Sequence, residues 1–126
     1  MKSTILWLDD IRDPFNNVHV KELLEYLAYE FLELPISDVN VVWVKTQKEF
    51  EDWINRNDIP SMISFDNDLG IGNGEGYECA KFLVDYCLDN NCYLPEYYVH
   101  SSNPVAKEYI EDLFTNFKEM YYPDEL

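Results

Sequence analysis

Cations are scarce in this sequence: 9 Lys and Arg stand against 25 Asp and Glu in 126 residues, a formal net charge of -16. Such a surface repels phosphate backbones and anionic lipid, which excludes direct binding to nucleic-acid duplexes or membrane surfaces and leaves a basic protein as the charge-matched partner. Cysteine is sparse as well. Cys79, Cys87 and Cys92 are odd in number and lack C-x-x-C spacing, so neither a disulfide framework nor a zinc site is expected. They read as small buried hydrophobes in a reducing compartment. No apolar run approaches the ~18 residues of a membrane span, and the N-terminal residues lack a signal-peptide pattern, so a cytoplasmic protein is expected. Glycine is limited to four residues, all between positions 70 and 76.

What is present is a foldable core. With 47% hydrophobic and 16% aromatic residues in 126, the chain reads as one domain, residues 1–126, with an acidic tail from about 118. Its pivotal stretch is Ile5-Leu6-Trp7-Leu8-Asp9-Asp10-Ile11-Arg12-Asp13-Pro14, an apolar run that stops at two carboxylates. A run of this kind fits a strand covered on both faces, with Asp9 and Asp10 at its carboxyl end.

Strand-like and helix-like segments then alternate. Val20, Leu23, Leu24, Leu27 and Phe31 mark one buried helix face, closed by Pro35. Val39 to Val44 reads as a second strand, followed by the capping-box pattern Thr46-x-x-Glu49 and the stripe Phe50, Trp53, Ile54. A third strand, Met62 to Phe65, runs into Asp66-Asn67-Asp68 and the glycine-bearing segment, which is neither G-x-G-x-x-G nor a P-loop and reads as flexible or sharply turned. A helix with Tyr77, Ala80, Leu83, Val84 and Cys87 on one face ends at Asn90 and Asn91. The fourth strand, Glu96 to Val99, delivers His100-Ser101-Ser102-Asn103-Pro104, in which Asn103 can cap a final helix carrying Ala106, Tyr109, Ile110, Leu113, Phe114 and Phe117.

This alternation predicts an α/β three-layer sandwich with a mostly parallel, flavodoxin-like sheet in the order 2-1-3-4, with an extra edge strand from the C-terminal tail as an open possibility. In that order the first and third strands are neighbours, which brings Asp9 and Asp10 beside Asp66 and Asp68 and places His100, Ser101 and Ser102 on the same rim. Crowded carboxylates repel one another. A divalent cation relieves them, and all-oxygen ligation suits Mg²⁺ or Mn²⁺.

The three motifs Leu-Asp-Asp-Ile-Arg-Asp-Pro, Ser-Phe-Asp-Asn-Asp-Leu-Gly and His-Ser-Ser-Asn-Pro resemble the cyclic-phosphate-processing receiver domains, a divergent branch of response-regulator receivers found in phages and bacteria. The resemblance runs from Ile5 to about Phe117. It implies that Asp9, Asp10, Asp66 and position 68, here Asp68, hold the metal, and that Ser101 contacts a phosphoryl oxygen. Receivers also carry a lysine after a fifth strand. No such strand or Lys-Pro pair follows Phe117, and Lys118 lies in the acidic tail, which weighs against aspartyl-phosphate signalling. Arg12 and His100 match the cyclic-phosphate type instead.

The resulting expectation is a metal-dependent phosphoesterase acting on a small cyclic phosphate, such as a cyclic nucleotide or an RNA-repair or ADP-ribose-type product. In it, Asp66, Arg12 and His100 are catalytic, His100 carrying a proton. Arg12, Ser101, Ser102 and Asn103 bind the substrate, the last through amides at a helix start. Two alternatives stand beside it: an inactive receiver-like module that binds phosphate or protein, and an acidic phage-type inhibitor of a basic host protein, working in the host cytoplasm.

Overall fold

A computed structural model describes residues 3–122. Four strands and four main helices alternate: β1 (Ser3–Leu8), α1 (Val18–Leu27), β2 (Val39–Val44), α2 (Gln47–Asn57), β3 (Met62–Phe65), α3 (Gly76–Asn90), β4 (Glu96–Val99) and α4 (Pro104–Tyr121). The sheet is parallel with order β2-β1-β3-β4, the flavodoxin-like arrangement read from the alternation of elements. Ile5 to Leu8 are fully buried, because helices cover both faces of the central strand.

Period-two alternation along the strands sorts the core into two layers. Ile5, Trp7 and Met62 pack with Val20, Leu24 and Leu27 of α1. Leu6, Leu8, Ile63, Phe65 and Val99 face the other way, onto Phe50, Ile54, Leu83, Ile110 and Phe114 of α2, α3 and α4. The cap at Thr46 forms as its spacing predicts, with Oγ1 accepting from the Glu49 amide at 3.1 Å, while the Glu49 carboxylate reaches the Lys45 amide one residue before the cap.

Two segments depart from expectation. The first helix does not continue regularly to Pro35. It ends at Leu27, and Ala28–Leu32 widens into a π-helical turn closed by Glu33 in the left-handed region. Pro35 cannot extend a helix, and the wider turn sets Phe31 edge-on to Tyr98 of β4, so this segment covers sheet that the one helix on this face leaves bare. At the other end, α4 runs on to Tyr121. Lys118 is therefore helical, lying over the Tyr97 ring at 4.6 Å, and the extra edge strand is not formed by residues 118–121. Residues 123–126, the rest of that expected tail, lie outside the described residues.

The glycine segment is sharply turned and docked. The Asn73 carbonyl accepts from the Gln47 amide at 2.9 Å, and Gly76 closes the return, its amide donating to the Asn67 carbonyl at 2.8 Å. A Cβ on Gly76 would collide with the Asp66 carbonyl and lie 2.9 Å from the Asn67 Cα. Gly76→Ala is therefore expected to cost about 1–3 kcal/mol, as over-packing against rigid backbone does, measured by urea denaturation. An unchanged midpoint would mean that the loop is not held against β3.

Candidate metal and phosphate site

The last paired residues of β1, β3 and β4 are Leu8, Phe65 and Val99, in register with one another. One step further along each chain stand Asp9, Asp66 and His100. The backbone ladder continues through them, Asp66 N to Leu8 O at 3.0 Å and His100 N to Phe65 O at 2.9 Å, so these three side chains share the face that carries Trp7 and Ser64. Three strand ends thus build one row.

Asp9 is 1% exposed, and its carboxylate is fully engaged. Oδ1 accepts the amides of Ile11 and Arg12 at 2.9 and 2.8 Å, while Oδ2 lies 3.0 Å from His100 Nε2 and 3.6 Å from Arg12 Nη1. The other imidazole nitrogen, Nδ1, meets Ser64 Oγ at 2.7 Å, and the ring stacks on the Trp7 indole, 3.9 Å between centroids and 5° from parallel. Both indoles on this side hold the turn after β1: Trp7 Nε1 donates to the Arg12 carbonyl at 2.9 Å and Trp43 Nε1 to the Asp9 carbonyl at 2.7 Å.

The electrostatics of the two acids diverge. Burial pushes the Asp9 carboxyl up, but the His100 hydrogen bond and the Arg12 and Ile11 amides together outweigh it and hold Asp9 below the usual carboxylate range. Asp66 lacks such a set. Burial first, then the neighbouring Asp9 charge and, last, that of Asp10 push it up to about 6, against one amide bond from Asn67 and the Arg12 charge. Burial likewise lowers the His100 pKa, partly offset by Asp9, so the imidazole is neutral at pH 7.

This row fits a divalent cation. Asp9, Asp66 and His100 each offer a ligand atom, all within 4.8 Å of one another, and Asp66, raised first by burial and then by the Asp9 charge, carries a charge that a cation would offset. The expected set was all oxygen; an ion held by these three residues would have an imidazole beside two carboxylates, a mixed set that suits Mn²⁺ better than Mg²⁺. Neither Asp10 nor Asp68 belongs to this group. The Asp10 carboxylate leans toward the glycine segment, 3.4 Å from where a Cβ on Gly70 would sit. Asp68 is exposed and folds its Oδ1 onto the Gly70 amide, an Asx turn.

The β4–α4 turn is largely self-satisfied. Ser101 Oγ accepts the Asn103 amide at 3.2 Å, and Asn103 Oδ1 accepts the amides of Val105 and Ala106, so the helix start expected to meet an anion is already capped by its own side chain. Ser102 is exposed. Arg12 stays partly open, its side chain 44% exposed beside Asp9. Reading the sequence residue by residue misses Trp7, Trp43 and Ser64. The signal for two of them was there, since Trp7 precedes Asp9, and Ser64 precedes Asp66, by the two residues that put strand side chains on one face.

The family profile of the cyclic-phosphate processing receiver domain matches residues 4–116. No curated protein matches the chain. Among solved structures, the chain is similar to the N-terminal domain of a response regulator/sensory box/GGDEF three-domain protein from Carboxydothermus hydrogenoformans, with TM-score 0.50, 16% identity, and 94% of this chain and 92% of that one covered. It is also similar to a fusion carrying a yeast Spc42 trimeric coiled coil, with TM-score 0.51, 16% identity, and 95% and 78% covered. At such identities the likeness shows the fold alone.

The raised Asp66 carries a stability consequence. Its folded pKa of about 6 lies above the ordinary 3.8, so the native state holds the proton more tightly than the unfolded chain. The stabilisation this gives is present below pH 3.8 and lost as pH rises through 6. The loss is on the order of 3 kcal/mol at roughly 1.4 kcal/mol per pKa unit. In EDTA, Asp66→Asn should therefore gain stability relative to the parent between pH 4 and pH 7.5, read as the difference in Tm, and saturating Mn²⁺ at pH 7.5 should reverse that order.

Proposed function

This chain belongs to the cyclic-phosphate processing receiver domain family, and from that premise we propose that it is a divalent-metal-dependent phosphoesterase that opens a small cyclic phosphate. The observation that carries the reading is the Asp9, Asp66 and His100 group, whose ligand atoms lie within 4.8 Å of one another at the carboxyl edge of the sheet. Hydrolysis forms one bond from a water oxygen to phosphorus and breaks one ring P–O bond. The water loses a proton and the leaving alkoxide gains one.

Asp9, Asp66 and His100 Nε2 would hold the ion, Mn²⁺ or Mg²⁺, which when bound supplies charge neutralisation at the phosphoryl oxygens and a more acidic water. Arg12 extends its planar fork of donors from the Asp9 side and binds the non-bridging oxygens, where charge builds in the transition state. Without an ion, Nε2 donates to Asp9 Oδ2 at 3.0 Å; with one bound, Ser64 would accept the proton at Nδ1, 2.7 Å away, and so free the Nε2 lone pair for the ion. With both nitrogens engaged inside the protein, we assign His100 to holding and orienting, in place of the proton-carrying role its residue type suggests, and water at the open rim takes up and returns the protons. A phosphate-binding module without turnover is the second reading, favoured by that same full engagement of His100.

A panel of cyclic nucleotides and ADP-ribose-type cyclic phosphates with Mn²⁺ or Mg²⁺, followed by product mass, separates the two. Turnover is expected, abolished by EDTA and by Asp66→Asn with the far-UV spectrum unchanged, and reduced about 10²–10³-fold in kcat by Arg12→Ala, the scale for losing one preorganised donor. Binding without turnover would establish the module reading.

A further inference from the structure

Beside the carboxylate row, on the α1 face, lies a recess of about 300 Å³, walled by Trp7, Arg12, His100, Val20 and Leu23 and rimmed by Asn17 and His19. Its lining is unusual for this molecule. In a chain with 25 acidic residues it carries one arginine and two histidines and no carboxylate; the recess along α2 is lined by Glu51 and Asp52, the one beneath Pro14 by Glu25, and the one at the ends of α3 and α4, also free of carboxylates, has no basic group. Arg12 and His100 belong both to this recess and to the row, so the two share a wall.

Resting on the phosphoesterase reading above, we infer that this recess takes the heterocycle of a mononucleoside cyclic phosphate whose phosphate lies on Arg12 and the carboxylate row. The volume sits at the lower end of small-molecule sites, which suits a mononucleotide and not a polymer. Leu23, backed by the buried Val20 and Trp7, gives an apolar wall that fits the edge of a flat ring and offers a bare polyol no hydrogen bonds. Asn17 spends its Oδ1 on the amides of His19 and Val20, which leaves its Nδ2 as the donor it offers to ring nitrogens or a carbonyl. His19, exposed at the start of α1, is placed to lie over or bond to the ring edge. In this reading His19 and Leu23 are specificity residues.

The test compares the full chain, with Mn²⁺, on a nucleoside 2′,3′-cyclic phosphate and on glycerol 1,2-cyclic phosphate, which has no heterocycle. The nucleoside substrate is expected to have the higher kcat/KM by about tenfold or more, the scale on which an apolar pocket discriminates. His19→Ala should collapse that ratio mainly through KM, and His19→Glu, which places a carboxylate in the recess, should collapse it further. Equal kcat/KM for the two substrates, or a ratio unmoved by both variants, overturns the recess while leaving the phosphoesterase standing. If neither substrate turns over, NMR of the imidazole signals on adding a nucleoside monophosphate decides: a shift of the His19 resonance supports the recess on its own, and none overturns it.

Discussion

The whole site depends on a carboxylate kept ionised where water does not reach it. Asp9 is 1% exposed, and it stays charged because two amides of its own turn, the His100 imidazole and the Arg12 guanidinium all converge on its two oxygens. Each of those donors is in turn held. His100 is clamped between the Trp7 ring and the Ser64 hydroxyl, and the turn from Asp9 to Arg12 is pinned by the indoles of Trp7 and Trp43. The aromatic residues of this face therefore work as a frame for polar groups as much as a hydrophobic core.

With Asp9 provided for, the unbalanced charge falls on Asp66. Among the described residues the Asn67 amide is its one hydrogen-bond donor, and burial, then the Asp9 charge next to it, makes ionisation costly. Two neighbouring acids, one over-satisfied and one under-satisfied, make a site whose negative charge is incomplete without a cation or a proton. The glycine return at Gly76 belongs to the same arrangement, because it lets α3 begin directly against the carbonyl of Asp66 and fixes the backbone from which that carboxylate projects. The recess next door has no carboxylate in its lining and shares Arg12 and His100 with the row, so basic and acidic groups meet along that one wall.

Much of this was legible in the residues. The strands β2, β3 and β4 fall where their apolar runs and flanking turn residues put them, and the sheet order follows from the alternation of elements. Asp9, Asp66 and His100 were legible as strand-end polar groups, and each is found on the shared edge. Asp10 and Asp68 show the limit of that reading. Asp10 follows Asp9 directly and points off the strand in another direction, although its charge still acts on Asp66, while Asp68, two residues past Asp66, has left the strand and is captured by the Gly70 amide. Asn103 was read both as a ligand and as a cap, and its Oδ1 is taken by the amides of Val105 and Ala106, while Ser101 accepts the Asn103 amide and keeps its hydroxyl proton to donate.

By itself, the sequence determined the alternation of strands and helices, the two-sided burial of β1 and the placing of acids and a histidine at strand ends, since these follow from periodicity and from the few residues that can stop a strand. Tertiary structure alone decided which nitrogen of His100 meets which oxygen, why Asp66 and not Asp9 bears the raised pKa, where the first helix widens to cover β4, and that a carboxylate-free recess opens beside the row. Those features depend on distances between side chains that are up to 91 residues apart, as Asp9 and His100 are. Register and burial set such distances, and no local pattern encodes them.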